Sequence, residues 1–232
     1  MSRRLWVAIG GTAALVILAG GGAYVYFFSG LRTAPPALAL ASPTAATSGS
    51  GTWTIASGSL AGYRVTEQFV GQSSTHEAVA RTSAVSGQVT ITQSGSSYEM
   101  SSTKITVQLS SLASVDSVAG YNVTNRDRIV QQSLSVGSFP TAVFEAGSVT
   151  LPAAAATGEA VTISVPGKLT VHGVTKDVTA TLQVRVNGSS AQVAGTIVTN
   201  MTDFGVNPPS IGFTNVQPAT TIEVSLNLTR SA

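Results

Sequence analysis

Beyond residue 52 the apolar positions of this chain recur at every second residue. The last run is the cleanest: Ile222, Val224, Leu226 and Leu228 alternate with Thr221, Glu223, Ser225, Asn227 and Thr229. That spacing predicts a strand with one face in a core and the other in water. The same period puts Val178, Ala180, Leu182, Val184 and Val186 inward, with Asp177, Thr179, Thr181, Gln183 and Arg185 outward, up to a hairpin turn at Asn187-Gly188. Val161, Ile163, Val165, Leu169 and Val171 keep one phase across Pro166-Gly167, where the missing proline N–H predicts a bulge or an edge. His172-Gly173 begins the next turn. Further strands are expected near 60–70, 86–93, 97–109, 141–150 and 191–201, with a short one at 53–55.

One segment resists this reading. Asn125 can cap a short helix running to about Leu134, with Asp127 in its first turn and Gly137 and Pro140 stopping it. The fold class is therefore all-β: an antiparallel barrel of about eight strands with one short helical insert. Closure is preferred to a sandwich because it removes the edges that long uncharged strands would otherwise present. The inward residues are mostly Val, Ile, Ala and Leu, so a barrel of this size leaves room for one apolar guest.

The N-terminal part follows other rules. Residues 5–28 contain no charged side chain and follow Arg3 and Arg4. As a helix rising 1.5 Å per residue, such a run is long enough to cross a hydrocarbon core about 30 Å thick. Residues 1–28 are thus expected to be a single transmembrane signal-anchor. The basic flank places the N-terminus inside and the rest of the chain on the extracytoplasmic side of the cytoplasmic membrane. The competing reading is a secreted protein cleaved at Ala39-Leu40-Ala41. Residues 29–52, rich in Ala, Pro, Ser and Thr, are expected to form a disordered tether, and residues 53–232 one barrel domain.

Charge and composition narrow the function. There are no cysteines, which excludes a disulfide framework, a thiolate metal site and a cysteine nucleophile. Three of the twelve Lys and Arg precede residue 53, leaving nine against all ten acidic residues in the domain. The sequence pI of 9.2 therefore reflects the flanks of the anchor. With no basic stripe to neutralise phosphates, nucleic acid is not an expected partner. His76, in a polar loop, and His172, in a turn, have no acid at ligand spacing. Both read as exposed, and no metal site is expected.

Two stretches carry a family resemblance. From Asn125 the chain reads NRDRIVQQSLSVGSFPTAVFEAGSV, and residues 167–182 read GKLTVHGVTKDVTATL. Together with Asp203-Phe204-Gly205-Val206 these resemble the YceI-like family. Its members show Arg-Asp before a short helix, then Phe-Pro-x-x-x-Phe, then Gly-x-Leu-Thr-hydrophobic-x-Gly-Val-Thr-Lys. The resemblance implies an extended lipocalin-like barrel over about residues 53–230 that holds a polyisoprenoid, a quinone tail or a polyprenyl carrier, in its lumen. It implies no other cofactor and no enzymatic activity. The ligand contacts expected on this basis are Tyr63, Val65, Phe69, Ile105, Val107, Arg126, Ile129, Phe139, Phe144, Leu169, Phe204 and Phe213.

Other polar residues near the expected lumen leave alternatives open. Relatives often carry a histidine where this chain has Glu67, Gln68 and Phe69. Glu67 shares a strand face with Tyr63, Val65 and Phe69; it reads as a mouth position in solvent, or else as a polar anchor for a head group. Arg126 and Asp127 read as a local pair fastening loop to barrel, or as groups that steer an anionic head group. The rival functions are a structural or adhesive surface module with a filled barrel, and an enzyme acting on an isoprenoid through Glu67 or His76.

Overall fold

The computed structural model describes residues 32–40, 50–71, 74–94, 97–118, 122–209 and 214–230. The expected membrane anchor and half of the expected tether lie outside the described residues. Among the described residues no helix is long and apolar enough to cross a membrane.

The chain forms short strand β1 (Arg32–Thr33), then β2 (Gly51–Ile55), β3 (Leu60–Phe69), β4 (Thr75–Thr82), β5 (Val85–Ser94) and β6 (Ser97–Gln108). Short strands β7 (Ala113–Ser114) and β8 (Ser117–Val118) lead to helix α1 (Thr124–Ser133). Then come β9 (Thr141–Ala146), β10 (Val149–Leu151), β11 (Val161–Val171), β12 (Val174–Asn187), β13 (Ser190–Asn200) and β14 (Thr214–Arg230). The strand pairings among the described residues are antiparallel, and the order β14-β13-β12-β11-β9-β6-β5-β2-β14 closes an eight-stranded barrel.

Strand β14 belongs to two lobes. Along one side it pairs with the whole of β13, from Ala219 to Thr229. Along the other its C-terminal end pairs with β2 and its N-terminal half with β3, which continues through β4 to β7. The barrel wall thus flares at one end into a three-strand flap, and α1 follows from β7 and β8 across that end. Close backbone approach is possible where side chains are missing: a Cβ on Gly195 of β13 would lie 2.1 Å from the Thr181 carbonyl oxygen, and one on Gly62 of β3 2.1 Å from that of Ala80.

The alternation read from the sequence holds in β12, where Ala180, Val184 and Val186 are buried while Thr179, Thr181 and Gln183 are exposed. Pro166 is an edge rather than a bulge: the ladder with β12 runs unbroken through it, but the ladder with β9 begins only at Gly167. The strand expected over 141–150 is two strands, β9 and β10, separated at Gly147-Ser148 and both paired with β6. Asn125 is not the helix cap. The helix begins one residue earlier, and the Asn122 side-chain oxygen accepts from the N–H and Oγ1 of Thr124. His172 and Gly173 both have positive φ (51° and 75°), which is the backbone of a type I′ hairpin turn.

Two departures concern charge. Strand β4 was not foreseen, because THEAVART mixes polar and small residues without a long apolar alternation. Glu223, on the face expected in water, is 1% exposed. Its two carboxylate oxygens accept from Arg64 Nε and Arg81 Nε, each at 2.8 Å. The same guanidiniums reach on to the chain before the domain: Arg64 Nη2 donates to the Pro35 carbonyl and Arg81 Nη2 to that of Pro36, both at 2.6 Å. With β1 paired to β8, this part of the expected tether lies on the outside of the barrel.

Two stability experiments follow. Val184→Asp should cost about 3 kcal/mol or more by burying an unpaired charge, while Gln183→Asp should stay within about 0.5 kcal/mol. Thermal melts of the two variants test the facing, and equal melting temperatures would refute it. Glu223→Ala should cost about 3–5 kcal/mol because it strands two poorly exposed guanidiniums. The same variant should expose residues 34–40 to limited proteolysis.

Candidate functional site

The barrel strands, β3 and α1 enclose two adjoining cavities. The first, about 170 Å³, lies between β3, α1 and the N-terminal end of β14. The second, about 140 Å³, lies inside the barrel and is walled by residues from all eight of its strands. Ala61, Val107, Ala142 and Ile222 line both, so the cavities meet along one lumen. Small aliphatic side chains dominate the walls, for the reason visible in the sequence: the inward alternation supplies Val, Ile, Ala and Leu, which leave space that large aromatics would fill.

The expected contact residues divide between these spaces. Tyr63, Val65, Phe69, Val107, Arg126, Ile129 and Phe204 line the first cavity. Ile105, Val107, Phe144 and Leu169 line the second. Phe139 lines neither: it is 37% exposed and packs edge-on against His172, with ring centroids 5.1 Å apart. Its place is set by the β11–β12 turn, which brings His172 up to it. Phe213 lies outside the described residues.

A buried polar cluster stands at the α1 end. Glu67 is not a solvent-facing mouth residue; it is 4% exposed, and its Oε1 accepts from Arg126 Nη1 at 2.9 Å. Arg126 Nη2 donates to Asp116 Oδ1. Asp116 also accepts from the Val79 N–H at 3.0 Å and, at Oδ2, from His76 at 2.7 Å. Because a carboxylate can only accept there, His76 Nε2 carries the proton. His76 is accordingly a buried residue of β4, not an exposed loop residue. Asp127 accepts from the N–H and Oγ of Ser114, and Ser114 Oγ in turn accepts from Arg126. The fastening role read for Arg126 and Asp127 is thus present, but the principal partner of Arg126 comes from elsewhere in the chain.

The electrostatics of the cluster follow from burial and pairing. Burial raises the Glu67 pKa, and the Arg126 and His76 charges pull back only part of the way. Burial also acts to raise Asp116, but hydrogen bonds from His76 and Val79 and the charge of Arg126 outweigh it and hold the group below its ordinary value. The Tyr63 phenol is pushed up by burial, against the pull of Arg126 and with the help of Asp127, Asp116 and Glu67. Asp116, the hub of the cluster, was missed in the sequence because a lone Asp in a Ser/Val loop carries no spacing signal.

His172 fastens a second loop. The Phe204 carbonyl can only accept, so His172 Nδ1 donates to it at 3.2 Å, and Nε2 shares a hydrogen bond of 3.2 Å with Ser135 Oγ. Among the described residues no group of three or more His, Asp or Glu is arranged to hold a metal ion.

This architecture, an apolar lumen under a helix pinned by an Arg-Asp start, coincides with a family match. The YceI-like domain matches residues 53–229. The chain belongs to the YceI-like family. Among solved structures, this YceI-like chain is similar to a polyisoprenoid binding domain from Saccharophagus degradans implicated in plant cell wall breakdown. The identity is 16% and the TM-score 0.54, over 79% of this chain and 100% of that one. It is also similar to BcnA of Burkholderia cenocepacia, at 18% identity and a TM-score of 0.47, over 71% of this chain and 95% of that one. No curated protein matches the chain.

Buried Asp116 sets an acid limit on stability. Asp116, whose folded pKa is lowered, contributes stability that is fully present above its unfolded value of about 3.9 and is lost as pH falls through the folded value. Glu67 has the opposite sign, since its raised pKa means that protonation relieves a burial cost. The melting temperature should therefore drop below about pH 4 as Asp116 is neutralised, and Asp116→Asn should flatten that drop while lowering stability at pH 7. Melting curves across pH 2–8 on both proteins check this; parallel profiles would remove Asp116 from its place as hub.

Proposed function

We propose that this protein binds a polyisoprenoid lipid, a quinone or a polyprenyl carrier, in its barrel lumen and holds it at the extracytoplasmic face of the cytoplasmic membrane. The observation that carries the reading is the pair of adjoining cavities with aliphatic walls inside a closed barrel. Strand β14, which lines both cavities, is long enough to lie along a chain. From Val216, opposite Glu67, to Arg230, opposite Trp53, strand β14 covers fourteen residue steps, on the order of 45 Å of strand at about 3.3 Å per residue. The polyisoprenoid-binding domain from Saccharophagus degradans shares the fold, which supports the choice of guest. The apolar run at residues 5–28 and its basic flank support the tether and the location.

Binding fits the site better than the two rivals. A surface module with a filled barrel has no use for an apolar lumen. An enzyme needs acid and base presented together to its substrate, whereas here Glu67 is held by Arg126, and His76 is turned to Asp116 and is absent from the cavity walls.

Affinity should come from buried apolar area, at roughly 25 cal/mol per Å², and depend little on salt. Long polyprenyl compounds should raise the melting temperature, and short prenols should not. Val107→Phe or Val224→Phe, which fill the lumen, should abolish that shift at a cost of about 1–3 kcal/mol in strain. Organic extraction of the purified full chain followed by mass spectrometry is the direct test. No extracted lipid together with no melting shift from any polyprenyl compound would replace this reading with the surface module.

A further inference from the structure

The inner cavity contains two polar atoms without partners. Trp53 Nε1 and Thr103 Oγ1 are buried and make no hydrogen bond among the described residues, and both side chains line this cavity. Trp53 is 0% exposed and Thr103 9%. Buried donors are almost always paired, so two orphans in one wall need a reason. Packing does not supply it, because a phenyl ring and an isopropyl group fill such places without carrying polar atoms.

The two groups share one belt of the wall. Trp53 on β2 pairs with Val89 on β5. Val89 stands opposite an irregular step in β6, between the pairs Gln88↔Lys104 and Thr90↔Ser101. Ser102, at that step, has a φ of 49°. A bulge re-aims the side chains beside it; here Thr103 faces the lumen one strand beyond Val89 from Trp53.

An indole N–H only donates, and a hydroxyl can also donate. Their common complement is an oxygen acceptor. Charge narrows it further, because no charged residue lines the inner cavity among the described residues. Arg126, the cation in the wall of the outer cavity, is already engaged by Glu67 and Asp116. A phosphate drawn inside would be buried without a counter-charge.

We propose that Trp53 and Thr103 form a hydrogen-bonding station for the neutral oxygen of an isoprenoid, a carbonyl or a hydroxyl, whose tail runs from the inner cavity toward α1. The inference rests on the lipid-binding reading above and adds to it the polarity and orientation of the guest. Quinones and free polyprenols satisfy the station; polyprenyl phosphates do not.

The test loads the purified full chain from phosphatidylcholine vesicles with three probes carrying the same polyprenyl tail: a benzoquinone, a monophosphate ester and a hydrocarbon without oxygen. Retained ligand is measured by mass spectrometry and affinity by the shift in melting temperature. The wild type should retain the quinone at least about tenfold more tightly than the phosphate ester. Trp53→Phe and Thr103→Val should each weaken quinone binding by roughly fivefold to tenfold, the loss of one hydrogen bond, and leave hydrocarbon binding unchanged. Without ligand, Thr103→Val should melt at or above the wild-type temperature, since it removes an unpaired buried hydroxyl at nearly constant shape. If Trp53→Phe does not fold, Thr103→Val and the wild-type ranking of the probes decide. Equal losses for quinone and hydrocarbon, no loss for either, or phosphate binding as tight as quinone binding would each overturn the station while leaving lipid binding intact. Retention of none of the three probes by the wild type would overturn the lipid-binding reading, and the station with it.

Discussion

Everything in this molecule depends on the ladder between β13 and β14. It runs unbroken from Ser190 opposite Thr229 to Asn200 opposite Ala219 and joins the first and last strands of the barrel path. Without it two long edges rich in Ser and Thr would stand open, with few charges to discourage pairing with another chain. With it the edges vanish and a lumen appears. The same closure forces β14 to serve two neighbours on its other side, β3 and then β2, with an irregular step between Val216 and Thr220. The wall can therefore flare at one end into the β3–β4 flap while remaining a closed barrel at the other.

A protein with so few charges has spent them in particular places. Glu223 gathers Arg64 and Arg81 on the outside of the wall, and those arginines hold Pro35 and Pro36. Asp116 gathers Arg126, His76 and the Val79 N–H at the flared end. Each hub is a carboxylate that is almost fully buried, so each demands its partners: removing them leaves an uncompensated charge out of water. The first hub lays the preceding segment on the barrel. The second locks β3, β4, the β7–β8 loop and α1 into one unit over the lumen.

These clusters leave the lumen itself apolar. Among the described residues, charge in the cavity walls is confined to Glu67 and Arg126 at the α1 end, where the two groups satisfy each other. An aliphatic tunnel that ends in paired charges at one end and bears unpaired neutral donors at the other is built for a long guest of low polarity, held by burial rather than by charge.

Much of this was legible in the chain. The period-two runs at 178–186 and 222–228, the Asn187-Gly188 and His172-Gly173 turns and the short helix ending before Gly137 and Pro140 predict the barrel and its insert, although the helix cap does not fall at Asn125, because alternation and turn chemistry act over a few neighbouring residues. The Arg-Asp and Phe-Pro-x-x-x-Phe stretches predict the family for the same reason. What only the tertiary structure decided is which isolated polar residues meet. Glu67 reaches Arg126 across 59 positions, His76 reaches Asp116 across 40 and Arg64 reaches Glu223 across 159. No local pattern encodes such pairs, so Glu67, His76 and Glu223 read as solvent-facing until the strands bring their partners alongside. Trp53 and Thr103 show the same limit: the alternation can place each on an inner face, but only closure of the barrel sets them on one belt with no partner among the described residues to receive their protons.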